Sequence, residues 1–149
     1  MGKTVTDYLK AHRISFRPLP HERAVTAMEE ARVLDVNAED VAKTVVLDTP
    51  DGHIIAVVPA TRHVDTDKVG RIVGGPVELT SEYGIARDFP FFDLGGIPPI
   101  GDLLDLPILL DADLAKHERV VFAAAQDLSV EMKVADLIED GHVIIAPIV

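Results

Sequence analysis

Cysteine is absent from this sequence. That removes a disulfide framework, thiolate metal ligands and a thiol nucleophile from consideration. Long apolar runs are missing too, since none approaches the ~20 residues needed to span a bilayer. The opening stretch Met1-Gly-Lys-Thr-Val-Thr-Asp-Tyr-Leu9 lacks the apolar segment of a secretory signal. A cytoplasmic protein that does not engage membranes is therefore expected. Basic residues are scarce: 14 Lys and Arg stand against 25 Asp and Glu, a net charge of −11. Nonspecific affinity for nucleic acid comes from cations that neutralise phosphates. The balance argues against general DNA binding, but leaves room for recognition of one end of an RNA through a small basic patch. The basic residues that cluster are Lys43, Arg62, His63, Lys68 and Arg71, and a solvated helix face explains the last four equally well.

Ligand patterns are also wanting. The six histidines (His12, His21, His53, His63, His117 and His142) form no HxH, HxxxH or HExxH spacing. No metal site and no cofactor are expected. Nucleophile-elbow and Walker motifs do not occur, and Gly70-Arg-Ile-Val-Gly-Gly75 lacks the strand–turn–helix setting of a dinucleotide fingerprint. There is no internal repeat or linker.

What is present describes one globular domain over residues 1–149, with 48% hydrophobic and 26% charged residues. Residues 5–13 are expected to form a helix capped by Thr4 or Thr6, followed by an edge strand at 14–19 beside Pro18 and Pro20. Thr26 with Glu29 makes a capping box for a second helix whose packed stripe is Ala27, Ala31 and Leu34. The runs 41–48 and 53–60 flank Thr49-Pro-Asp-Gly52 as a hairpin of buried strands. Further helices are expected at 65–73, closed by Gly74-Gly75, from Thr80 or Ser81 to before Pro90, and at 134–139. Strands are expected at 77–79, 106–110, 120–124 and 128–132, with a closing strand or extended tail from Val143. Strands crowd the second half with helices between them. This pattern predicts an α+β fold, a mixed and mostly antiparallel sheet with flanking helices.

Two features carry chemistry. The segment Asp93-Leu-Gly-Gly-Ile-Pro-Pro-Ile-Gly101 holds three glycines and two adjacent prolines between apolar runs. Glycine lets backbone N–H groups approach a ligand without a Cβ in the way, and proline stiffens what lies between. An ordinary tight connection, with a cis bond at Pro98 or Pro99, accounts for the same residues. The second feature is Lys43, which alternation places on one face with Val41, Val45 and Leu47. An ammonium among valines has to find an anion, a dipole or a water-filled cleft, unless it sits at the strand end and snorkels to solvent. His21, in a proline-flanked loop before the capped helix, is positioned to line a cleft or to be a plain loop histidine. Glu29-Glu30 and Glu39-Asp40 are most simply helix-terminal or solvated carboxylates.

The order of these motifs adds to them. His21, the Thr-Ala-x-Glu-Glu-Ala helix start, Ala42-Lys-Thr-Val-Val-Leu47, Val57-Val-Pro-Ala60, then Leu94-Gly-Gly-Ile-Pro-Pro-Ile-Gly101 and a strand ending in Asp111 follow one another along the chain. In this the chain resembles the YbaK/prolyl-tRNA synthetase-associated family, free-standing relatives of a synthetase editing insertion. The resemblance covers residues 21–136. It implies a trans-acting aminoacyl-tRNA deacylase that hydrolyses the ester of a mischarged tRNA at its acceptor end. It also implies that Lys43 is essential and that Gly95, with Gly96 beside it, contacts the aminoacyl group. Pro98, Gly101, His21 and Ser129 would complete the substrate-binding wall. The chain departs from the cysteinyl-tRNA(Pro)-hydrolysing branch, which has tyrosine where Leu19 stands and a basic glycine-rich turn where Ala123-Ala-Ala-Gln-Asp-Leu128 stands. Without that turn, tRNA delivery by a synthetase or elongation factor is expected. The departures equally suit a non-catalytic member that binds a small ligand or a protein partner in the same cleft.

Overall fold

The computed structural model describes residues 2–139 and 142–149; Met1, Asp140 and Gly141 lie outside the described residues. Helix α1 (Gly2–Ala11) buries Val5 and Leu9 completely. It starts earlier than the sequence pattern suggests, so Thr4 and Thr6 lie inside it rather than capping it. Strand β1 (Phe16–Pro20) follows, and α2 (Ala27–Leu34) opens on the full Thr26–Glu29 capping box. Strands β2 (Ala42–Thr49) and β3 (Gly52–Pro59) form the expected hairpin. Helix α3 (Thr66–Val73) is capped by Asp65 and closed by Gly74 at φ 79°. The two-residue β4 (Glu78–Leu79) leads into α4 (Glu82–Asp88), capped by Ser81. After the glycine–proline segment come α5 (Gly101–Leu104), β5 (Ile108–Asp111), β6 (Arg119–Ala125), β7 (Leu128–Lys133), α6 (Val134–Glu139) and β8 (Val143–Ala146).

The strands divide between two sheets. One is antiparallel with order β1-β7-β6, and the other has order β4-β2-β3-β5-β8. In the larger sheet the β3–β5 and β5–β8 pairings are parallel, while β2 pairs antiparallel with β3 and β4. The mixed, mostly antiparallel α+β expectation holds, with Pro18 and Pro20 on the edge strand β1 where a missing N–H costs no central ladder bond. A parallel bridge between Val41 and Val121 joins the sheets. The largest apolar cluster lies between them, around Phe122, Ile55, Leu110, Val130 and Met132. Among the described residues no helix is long and apolar enough to cross a membrane.

Three local facts position the site. Strand β4 pairs with β2 only at Leu47 and Asp48, so among the described residues the stretch 42–46 has no strand partner on that side, and only the Thr80 N–H reaches it, 3.0 Å from the Val46 carbonyl. Helix α4 is held beside that gap by His53. Its Nε2 is 2.7 Å from Asp88 Oδ2, whereas Nδ1, 2.9 Å from Asp48 Oδ1, is out of line for a hydrogen bond. Finally, the segment 93–96 is tied to the β6–β7 turn. The Gln126 N–H donates to Asp93 Oδ2 at 3.1 Å, and the Gln126 side-chain amide donates to the Leu94 carbonyl at 3.1 Å.

Candidate active site

A cavity of about 330 Å³ opens where β4 stops short. The uncovered part of β2 supplies Lys43, Thr44 and Val45, and the start of α2 supplies Val25, Ala27 and Glu30. Leu79, Thr80 and Ile85 close one side, Gly95 and Ile97 another, and Ala123 of β6 the floor between the sheets. Most of this wall is apolar. Among the described lining residues, Lys43 brings the one cation and Glu30 the one carboxylate.

Lys43 is half-buried, and its ammonium makes no ion pair or hydrogen bond among the described residues. Burial pushes its pKa below the ordinary lysine value. Lys43 is the second residue of β2, paired with Val58 near the strand entrance, and its side chain lines the cavity. A partly desolvated cation in that position can attract an electron-rich ligand atom more than one in bulk water would.

Gly95 meets the cavity with its backbone. Its φ is +80°, and a Cβ there would fall 2.0 Å from the Val25 carbonyl oxygen. Only glycine permits this approach. The Gly95 N–H makes no hydrogen bond among the described residues. The N–H of Gly96, in contrast, is engaged by the Asp93 carbonyl at 2.9 Å, and Gly96 is buried against Ala125. Gly96 therefore supports the loop and does not line the cavity. Pro98 and Gly101 are buried beyond the cavity as well. Gly101 begins α5, where a Cβ would sit 2.9 Å from the Leu106 carbonyl, so its glycine is required by packing. No cis peptide occurs among the described residues, so the links to Pro98 and Pro99 are trans.

His21 and Ser129 also stand behind the wall rather than on it. His21 Nε2 is 2.8 Å from Ser129 Oγ, and the Ser129 hydroxyl in turn meets Glu30 Oε2. Glu30 is 3% exposed, which corrects its assignment as a solvated carboxylate. Burial raises its pKa to about 7, against the lowering effect of the Ser129 hydrogen bond. Glu29 beside it behaves as expected: the Thr26 backbone N–H, then the Thr26 hydroxyl, hold its pKa down. A signal for Glu30 existed in the sequence, since it falls three residues after Ala27 and four before Leu34, on the packed stripe of α2. Asp93 and Gln126, which tie the loop, carried no such signal.

Similarity to known proteins identifies the family and the fold. The model of the aminoacyl-tRNA editing domain matches residues 21–139. The structure is similar to that of a hypothetical protein, APE2540, with a TM-score of 0.88 at 21% identity, covering 97% of this chain and 98% of that one. It is also similar to a candidate trans-editing enzyme for prolyl-tRNA synthetase, with a TM-score of 0.84 at 23% identity, covering 99% and 95% of the two chains. Lys43, Gly95 and Glu30 all fall inside the matched span, and the chain belongs to the aminoacyl-tRNA editing domain family.

Proposed function

We propose that this protein is a trans-acting deacylase that hydrolyses the ester between an amino acid and the terminal ribose of a mischarged tRNA. The observation that carries the reading is Lys43, without a partner among the described residues, lining the same apolar cavity as Gly95, whose N–H is likewise unengaged there. Hydrolysis of an ester builds negative charge on the carbonyl oxygen as the tetrahedral intermediate forms. A cation and an unengaged backbone donor around one small space can stabilise that charge more than they stabilise the neutral ester. The Lys43 ammonium polarises the carbonyl or holds the terminal ribose, and Gly95 donates to the oxyanion. The volume suits the aminoacyl group of a small amino acid, with the tRNA left outside.

Water is taken as the nucleophile in preference to a ribose hydroxyl: the described cavity wall offers neither cysteine nor serine, and of its threonines Thr26 and Thr80 donate their hydroxyls to Glu29 and Asp48. The net charge of −11 leaves the protein poorly equipped to grip the tRNA body. Delivery by a synthetase or an elongation factor fits that charge. The test is a deacylation screen with alanyl-, seryl-, threonyl- and cysteinyl-tRNA. Turnover of at least one substrate above spontaneous hydrolysis is expected. No turnover, with a small ligand still binding the cavity, would favour a non-catalytic binding role.

A further inference from the structure

The line Glu30–Ser129–His21 runs from the cavity wall to the protein surface, and its hydrogen-bond inventory restricts where protons can be. His21 Nδ1 lies 2.6 Å from the Glu22 carbonyl oxygen, which can only accept, so Nδ1 carries a hydrogen. Ser129 Oγ has one hydrogen and lies between His21 Nε2 and Glu30 Oε2. With one proton shared between Glu30 and His21, two arrangements satisfy every contact. In the first, Glu30 is protonated and donates to Ser129, Ser129 donates to Nε2, and His21 is neutral. In the second, Nε2 donates to Ser129, Ser129 donates to an ionised Glu30, and His21 is cationic. They differ by the passage of one proton between Glu30 and His21 through the hydroxyl. Glu30 Oε2 is thus committed to Ser129, while Oε1 has no hydrogen-bond partner among the described residues and belongs to a side chain lining the cavity.

We propose that Glu30 is the catalytic base of this cavity, with Ser129 and His21 as positioning residues that form its proton path to the surface. The proposal rests on the deacylase reading above. Water attacks the ester carbonyl carbon and gives a proton to Glu30 Oε1. The bond from that carbon to the ribose oxygen then breaks, and the ribose oxygen takes the proton from Glu30. The products are the free amino acid and the ribose hydroxyl. At neutral pH the new carboxylic acid releases one further proton inside an apolar cavity. Glu30 takes it on Oε1, and cationic, half-buried His21 gives a proton to solvent. The carboxyl, its hydrogen turned onto Oε2, passes a proton through Ser129 to His21, which restores the second arrangement with Glu30 ionised.

The experiment measures kcat and KM on whichever aminoacyl-tRNA the wild type hydrolyses, for Glu30→Gln, Glu30→Ala and Ser129→Ala, each checked for folding by thermal melting. Glu30→Gln keeps the shape of the side chain and is expected to lower kcat about 100-fold or more, within the range of general-base catalysis, with KM little changed. Added formate is expected to restore part of the activity of Glu30→Ala, which a purely structural role would not allow. Ser129→Ala is expected to lower kcat about 10-fold, a smaller effect than loss of the base itself. An inactive wild type would overturn the deacylase reading itself. An active wild type with a folded, equally active Glu30→Gln would overturn only the role of Glu30. A dead Glu30→Gln beside a fully active Ser129→Ala would overturn the proton path.

Discussion

At the scale of single residues, two ionisable groups in one apolar cavity had unequal visibility. Lys43 stands out in a run of valines because a lysine interrupts an otherwise buried strand. Glu30 hides behind Glu29, since a pair of glutamates early in a helix is the usual signature of a solvated first turn. Only the register of α2 against β7 reveals that one glutamate caps the helix and the other is buried against Ser129. The cost of that burial is measurable. Glu30 moves from an ordinary 4.5 to about 7 in the folded protein. Between those values the folded state holds the proton and the unfolded chain does not, so stability falls as pH rises through the window. The gap corresponds to about 3 kcal/mol, complete above pH 7 and absent below the unfolded value. Denaturant titrations of wild type and Glu30→Gln at several pH values should therefore diverge, the variant gaining relative stability from acid to neutral pH. Parallel curves would show that Glu30 is not held protonated by the fold.

At the scale of elements, the loop 93–101 combines two kinds of glycine that the sequence does not separate. Gly95 serves the cavity, whereas Gly101 serves the packing of α5 against Leu106 and Ile108. Gly95→Ala places a Cβ against the Val25 carbonyl at an unfavourable φ, so the loop has to retreat from α2. Loss of activity beyond any loss of stability is expected, with kcat reduced about 100–1,000-fold if one oxyanion donor is displaced. Gly101→Ala should instead lower the melting temperature, with a cost of roughly 1–3 kcal/mol for overpacking. Equal effects of the two substitutions on activity and melting would contradict this division. Most elements were legible because their caps and periods are local: Thr26, Asp65, Ser81 and Gly74 mark helix ends, and the valine-rich runs mark β2 and β3. The four-residue α5 was not, since Gly-Asp-Leu-Leu after two prolines has no local pattern to set it apart from a turn. The partition into two sheets was equally hidden, because strand order depends on pairings such as β5 with β8, distant in sequence.

At the scale of the whole molecule, the charge and the cavity describe different parts of one task. A net charge of −11 repels a polyanion, while a cavity of about 330 Å³ has room, in the proposed reading, for an aminoacyl group and not for the tRNA body. Binding of uncharged tRNA should therefore be weak and show a shallow dependence on salt, with few phosphate contacts contributing. A steep fall in affinity with added salt would reveal a basic interface that the composition does not suggest. The central claim concerns Lys43 in the cavity between β2, α2 and the glycine loop. Its most direct test is the deacylation rate of Lys43→Ala against wild type on the panel of mischarged tRNAs, with folding of both confirmed by thermal melting. Removal of the cation should reduce hydrolysis about 100-fold or more on every substrate the wild type accepts; a folded variant with an unchanged rate would contradict the account.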